Sequence, residues 1–424
     1  MMLKQAKYNN DLYVIEKIPY QITDDTDANI IYVPMDSVEG YRELNPTLPI
    51  EGYSYSTIKV NREPYQDYLE VICTSESNAP LMTVLHTKGL AANENYMTLA
   101  EAKAVTNEQL DGLLNGNTTV ESFNEFKYFT NVTKVGTSDD AEESKTLSPF
   151  RQCTSLKYIT LPPTVNELGA RAFDLCKNVE KINGLENVHI FGHCCLQATF
   201  GNASTQIFDT IKVKGLKGVL QFNNVYKATN GYGVKNLIIQ GDITEIPRSS
   251  FNGLLICESM TITESVITIG GFGNQEANCF SGCISLRRLN SDIDGIMNIP
   301  SNVTEIGWQS FYAGGSAGGN HTIKEINIPD SVVRIGHSAF GSYYCCKRLN
   351  LGSGLQQLDA DALINIGTDN EILTVTVRAI TPPTVTGRLK FNDNNEIFVP
   401  AESVEAYKAA DGWNEYTDNI KPIE

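Results

Sequence analysis

Ten cysteines and five histidines carry the obvious reactive and metal-binding groups of this 424-residue chain. Their spacing limits what they can do. Cys153, Cys176, Cys283 and Cys346 each stand three residues before an apolar Leu or Val. That placement reads as a thiol packed as a small hydrophobe. Cys194-Cys195 and Cys345-Cys346 are adjacent pairs, which bridge only under strain. Cys279-x-x-x-Cys283 has a zinc-like spacing but no matching second pair. His189-x-x-x-His193 followed by Cys194 invites a metal reading. The segment alternates like a strand, however, so the two imidazoles share a face yet stand too far apart for one ion. His86, His321 and His337 are isolated in the sequence. No arrangement of Ser, Cys or His forms a nucleophile motif.

The oxygen-bearing motifs are equally incomplete. Asp292-Ile293-Asp294-Gly295 is a fragment of a calcium loop, but the twelfth position counted from Asp292 is Val303 rather than Glu. A turn is the simpler reading. Gly314-Gly315-Ser316-Ala317-Gly318-Gly319-Asn320 lacks the Lys-Ser/Thr of a phosphate loop and reads as a flexible insertion. Asp359 and Asp361 need no catalytic role. No cofactor or metal is expected on these grounds, and an enzyme has no constellation behind it.

What positions these residues is a repeat. Phe150, Cys153, Leu156 and Ile159 recur in kind 23 residues later as Phe173, Cys176, Val179 and Ile182. The full phrase, L-x-x-I-x-L-P-x-x-V-x-x-L-G-x-x-A-F-x-x-C-x-x-V, starts at Leu156. It returns at Ile299–Phe311 and Ile328–Phe340, and a worn copy follows through Leu355, Leu358 and Leu363. Phe251, Phe280, Phe311 and Phe340 are spaced 29, 31 and 29, so insertions precede the last three. Residues 183–233 keep only Ile190-Phe191-Gly192 and Phe200 of the pattern.

So short a unit cannot bury its apolar face alone. Stacked copies align equivalent residues into ladders along one axis. Leu156–Leu161 alternates as a short strand, and Pro162 ends it. The Gly after Ile306 and Ile335 is expected at a tight turn needing unusual backbone angles. The expected ladder comprises Phe150, Cys153, Leu156, Phe173, Cys176, Phe251, Phe280, Cys283, Phe311, Phe340 and Cys346.

These motifs resemble the BspA-type leucine-rich-repeat family found in surface proteins of gut and oral anaerobes. The resemblance implies a β-rich α/β fold: a solenoid of degenerate ~23-residue units with terminal caps. It also implies adhesion to host proteins or other cells. Ile397–Trp413 resembles the family's terminal segment: a strand, Pro400, a short helix and a Gly stop. Val404, Tyr407 and Trp413 are expected against the last coil. Ile31–Tyr41 is a near copy of Ile397–Tyr407 and suggests a second strand-helix module. Residues 96–130 read as helical from three candidate capping boxes, Thr98-x-x-Glu101, Thr106-x-x-Gln109 and Ser122-x-x-Glu125. The expected organisation is a small β-rich domain at 1–92, a helical cap at 93–147, the solenoid at 148–370 and a strand-helix cap at 371–424.

Composition narrows the function. Hydrophobic residues make up 41% and charged residues 20%, enough for a sizeable core, and the formal net charge is −17. That balance opposes nucleic acid and anionic membranes. No apolar run is long enough for a membrane span, and the first ten residues lack the apolar region of a signal peptide. The leading expectation is a non-enzymatic surface or extracellular binding protein for a protein or glycan partner, with contacts in the insertions near 270–279, 312–321 and 341–345. The alternative is a virion- or tail-associated, or self-assembling, structural protein.

Overall fold

The computed structural model describes the backbone of residues 4–8, 11–15, 31–34 and 50–53, and residues 71–200, 204, 206–217, 233–271, 277–314, 318–359, 361–369, 372–391 and 393–424. Contacts divide the chain into two units: residues 1–106 with 125–131, and residues 107–124 with 132–424.

In the first unit, Lys4–Tyr8 pairs antiparallel with Asp11–Ile15, and Ile31–Pro34 pairs parallel with Ile50–Tyr53. The helix expected after Pro34 lies outside the described residues. Val71–Thr74 pairs antiparallel with Tyr96–Thr98, and a helix the sequence reading missed, Ser75–Thr87, joins them. Pro80 argues against a helix there. The chain accommodates it by a kink at Asn78 (φ −154°, ψ 69°). The Asn78 side chain then accepts the Leu81 N–H at 3.4 Å, and Pro80 stands in the first turn of the restarted helix, where it lacks only an N–H that needs no partner. Leu81, Met82 and Leu85 form its buried stripe.

The segment 96–130 is not one helix. Only Leu99–Ala104 is α-helical, and Thr98 caps it fully. Thr98 Oγ1 accepts the Glu101 N–H at 3.2 Å, and Glu101 Oε2 accepts the Thr98 N–H at 2.7 Å. Thr98→Ala is therefore expected to lower stability by about 1 kcal/mol, read as a shift in urea midpoint. The other two boxes fail. Glu108–Leu110 is a 3-10 turn with no side-chain cap, and Ser122–Phe123 is a strand. Gly112 and Gly116 adopt φ +64° and +73°, and Asn117 Oδ1 accepts the N–H groups of Thr119 (2.9 Å) and Val120 (2.8 Å). Such turns end a helix. The expected helical cap at 93–147 is thus largely turns and short strands.

The second unit is a solenoid, because successive coils add strands in register to parallel sheets. The larger has ten strands, ordered Ile207–Val213, Gly233–Ile239, Ser259–Ile262, Arg288–Leu289, Ile296–Asn298, Glu325–Asn327, Arg348–Leu351, Thr374–Val377, Glu396–Val399 and Ile420–Pro422. The other has six: Glu245–Ile246, Thr268–Ile269, Glu305–Ile306, Arg334–Ile335, Gln357–Leu358 and Thr384–Val385. Nearer the N-terminus, a three-stranded sheet (Ser122–Phe123, Tyr158–Thr160, Lys181–Asn183) and a four-stranded sheet (Lys134–Val135, Glu167–Leu168, Ile190–Gly192, Gly215–Lys217) follow the same plan.

Register explains the apolar pattern. Leu237, Met260, Leu289, Met297, Ile326, Leu349, Val375 and Ile397 are partners across the large sheet and all point inward. Ile246, Ile269, Ile306, Ile335 and Leu358 do the same in the other sheet. Between them the phenylalanines stack. Ring centroids are 5.5 Å apart for Phe251–Phe280, 5.2 Å for Phe280–Phe311 and 5.3 Å for Phe311–Phe340, with interplanar angles of 4°, 18° and 9°. Phe150 and Phe173 repeat this at 5.0 Å.

Three details correct or extend the sequence reading. The 23-residue register does not fade at 183. Leu196 takes the Phe173 position and is buried. Thr199 takes the Cys176 position: Cys153 Sγ donates to Leu114 O (2.9 Å), Cys176 Sγ to Phe150 O (2.7 Å) and Thr199 Oγ1 to Phe173 O (2.9 Å). The insertion before Phe311 includes the loop at 290–295, after which Ile296–Asn298 returns as an additional strand of the large sheet.

The glycines after Ile306 and Ile335 are the third detail. Gly307 and Gly336 do not have positive φ, and neither do Gly169 and Gly192. They are glycine because successive coils touch backbone to backbone there. A Cβ on Gly169 would lie 2.1 Å from Gly136 O, and one on Gly336 would lie 2.8 Å from the Gly307 carbonyl carbon.

At the C-terminal end, the helix Val404–Ala409 follows Pro400 and a 3-10 turn. Tyr407 and Trp413 are fully buried and pack edge to face at 5.0 Å, while Val404 is half-buried. The Trp413 indole N–H donates to Pro383 O at 2.9 Å.

Candidate binding surface

The eleven ladder residues singled out in the sequence (Phe150, Cys153, Leu156, Phe173, Cys176, Phe251, Phe280, Cys283, Phe311, Phe340 and Cys346) are each at most 2% exposed. Burial pushes the thiols of Cys257, Cys279 and Cys346 up to about 12 and that of Cys194 to about 11. A thiol held neutral in this way is a poor nucleophile and a poor ligand.

The other candidate motifs are occupied by structural bonds. Cys279 Sγ donates to Pro247 O at 3.2 Å, so it does not form a site with Cys283. His189 Nδ1 contacts Lys212 O at 3.2 Å, whereas His193 Nε2 contacts Cys194 Sγ at 3.1 Å, so the two imidazoles serve different neighbours. Asp294 binds Arg287 and Arg288, whose hydrogen bonds hold its carboxyl below the usual range. Asp359 accepts from Arg334 (2.6 Å), Gln357 (2.6 Å) and the Trp308 indole (3.3 Å), and Asp361 pairs with Lys390 at 2.8 Å. Asn320 closes the Gly-rich loop. Buried completely, it donates to Ile284 O and Leu286 O and accepts from Thr322 and Ile323 N–H groups.

What stays available is the outward face of the strands. In the large sheet this face carries an amide row. Asn298, Asn327 and Asn350 are direct partners; Asn327 Nδ2 donates to Asn298 Oδ1 at 2.8 Å and Asn350 Nδ2 to Asn327 Oδ1 at 2.6 Å. Beside it, Arg348 pairs with Glu325, and Lys421 with Glu396. Such exposed pairs contribute little stability, but they give the face a fixed pattern of charge.

The face opens into a groove between the N-terminal strands and the large sheet. Its volume is about 870 Å³, and its lining includes Tyr158, Glu180, Lys181, Asn183, Glu186, Ile207 and Asp209. The groove lies where strand pairing changes partner. At that point Gln206 substitutes for a backbone neighbour: its Nε2 donates to Ile182 O at 2.7 Å and its Oε1 accepts the Ile182 N–H at 2.7 Å. Tyr158 and Ile207 are 40% and 48% exposed, so two large side chains face solvent here. The Tyr158 hydroxyl donates to Glu180 Oε2 at 2.6 Å, and this hydrogen bond raises the phenol pKa. Three carboxylates against one lysine make the lining acidic. The sequence reading missed this groove because its members come from three coils and share no motif.

A profile of the BspA type leucine rich repeat region matches residues 117–213, 226–313 and 244–382 in six copies, which is more than half of the chain. The chain belongs to the BspA-type leucine-rich-repeat family. Similar solved structures include the pneumococcal vaccine antigen PcpA, at 14% identity over 70% of this chain and 78% of that chain, with a TM-score of 0.37. A leucine rich cell surface protein from Faecalibacterium prausnitzii is 16% identical over 63% and 82%, with a TM-score of 0.31. A leucine-rich repeat protein from Bacteroides ovatus is 19% identical over 65% and 86%, with a TM-score of 0.29. No curated protein matches the chain. Among the described residues, no helix of this BspA-type protein is long and apolar enough to cross a membrane.

Proposed function

We propose that this BspA-type chain is a non-enzymatic binding protein of the cell surface or extracellular space. It presents the acidic groove, and the strand face beside it, to a protein or glycan partner. The array at 148–370 carries the contact surface, and 371–424 closes its end. The observation that carries the reading is the groove itself: exposed Tyr158 and Ile207 set among Glu180, Glu186 and Asp209. An aromatic and an aliphatic surface rimmed by carboxylates suits a partner that offers apolar area together with cationic or hydroxyl groups. The occupation of the other polar motifs by structural hydrogen bonds supports binding over catalysis. The BspA-type family match supports the location.

The test is binding of the intact chain to arrays of mucin-type glycans and Lys/Arg-containing peptides. The double substitution Tyr158→Ala with Asp209→Lys is expected to weaken captured ligands by at least ~10-fold, which corresponds to about 1.4 kcal/mol. Its melting curve should remain close to that of the parent, because both side chains are exposed. Unchanged binding by this variant would remove the groove from consideration, and turnover of a glycoside or peptide substrate would overturn the non-enzymatic reading.

A further inference from the structure

His321, Cys345 and Asp369 lie 24 residues apart in succession, one in each of three stacked coils. Each offers a donor atom within 4.8 Å of the other two. Asp369 Oδ2 is their meeting point, 3.0 Å from His321 Nδ1 and 3.2 Å from Cys345 Sγ. Backbone bonds set this register: Asn320 N–H donates to Ser342 O, Tyr344 N–H to Asn320 O and Asp369 N–H to Tyr344 O.

The arrangement is oriented as well as close. His321 Nε2 stands 3.2 Å from Gly318 O. A carbonyl on the far nitrogen is the usual device that turns a ligating imidazole and fixes which nitrogen offers its lone pair. The Tyr344 ring flanks the imidazole, with centroids 5.1 Å apart. Gly319 makes room for it. Its φ is +86°, and a Cβ there would stand 2.2 Å from Tyr344 Cε2. Cys345 differs from the ladder thiols, being the single cysteine of ten that is not buried.

A tetrahedral ion with sulfur at about 2.3 Å and nitrogen or oxygen at about 2.0–2.1 Å keeps its donors roughly 3.3–3.7 Å apart. Two of the separations, 3.0 and 3.2 Å, lie just inside that spacing, and the third is within 4.8 Å, so a small adjustment of the side chains would seat an ion. We propose that His321 Nδ1, Cys345 Sγ and the Asp369 carboxylate form a three-ligand site for a zinc-class divalent transition-metal ion, its fourth position open to water or to a donor from a partner. Thiolate and imidazole select such an ion over calcium or magnesium. On binding, the Cys345 thiol releases its proton to solvent and the thiolate sulfur shares an electron pair with the ion, with no change of oxidation state. A Cys-His nucleophile would need the imidazole to take the thiol proton directly, whereas here the carboxylate contacts both groups.

Cobalt(II) is the probe, added to the intact protein. One equivalent per chain is expected to bind with a thiolate-to-cobalt charge-transfer absorption. Cys345→Ser should abolish that band, and His321→Ala or Asp369→Asn should weaken binding by at least ~10-fold. A second measurement needs no substitution: Zn²⁺ should protect Cys345 from alkylation by iodoacetamide, read by peptide mass, and EDTA should restore its reactivity. Absence of the band in the parent protein, its persistence in Cys345→Ser, or alkylation of Cys345 indifferent to Zn²⁺ would each overturn the site.

Discussion

Phe311→Ala is expected to lower the unfolding free energy by about 3–5 kcal/mol. Phe311 is 1% exposed and stacks on Phe280 at 5.2 Å and on Phe340 at 5.3 Å, so truncation empties a position bounded by rings on both sides. Burial of the lost ring accounts for about 1.5–3 kcal/mol, and the cavity adds the remainder, because the backbone on either side is fixed by two sheets. In a solenoid, stability is a sum of coil terms and interface terms between neighbours. One substitution therefore damages two interfaces. Urea denaturation provides the measurement, with Phe340→Ala expected in the same range. A loss below about 1 kcal/mol would mean that the rings do not bear on one another as described.

Gly169→Ala is expected to cost about 3 kcal/mol, the upper part of the range for overpacking. The added methyl would stand 2.1 Å from Gly136 O, so the two coils must part. Gly116→Ala provides the contrast. Gly116 has φ +73° with nothing within 4 Å of an added Cβ, so the change incurs only left-handed strain of about 1 kcal/mol. If the two variants melt alike, close approach is not what makes Gly169 glycine.

The glycines show where reading the chain alone goes astray. The sequence reveals that Ile306-Gly307 and Ile335-Gly336 recur, but not whether glycine is present for its backbone angles or for its missing side chain. Only the neighbouring coil distinguishes the two. The repeat itself was legible because burial imposes the same residue type at each turn: Phe251, Phe280, Phe311 and Phe340 must all fit one column. Where the column accepts a different residue that fills the same role, the pattern disappears from view while the geometry continues. Leu196 and Thr199 do this, and Thr199 replaces a cysteine because its hydroxyl donates to the same kind of carbonyl.

Helix prediction at 96–130 failed for a related reason. A capping box is a local signal. It was realised at Thr98, whereas Ser122–Phe123 was claimed by pairing with Tyr158–Thr160. The groove and the His321-Cys345-Asp369 cluster were invisible for the opposite reason. Their members are brought together across coils, at long sequence separations that no motif records.

The asparagine row has a further consequence. In Asn298, Asn327 and Asn350, donor and acceptor belong to the same kind of side chain, so each junction chemically duplicates the next. A whole turn duplicated or excised at this row is expected to leave like junctions facing each other. A fraction of a turn cannot, since every strand would then present the wrong side. Each whole turn added or removed there would change the length of the surface by one strand spacing, about 4.8 Å, with the same kind of junction on either side.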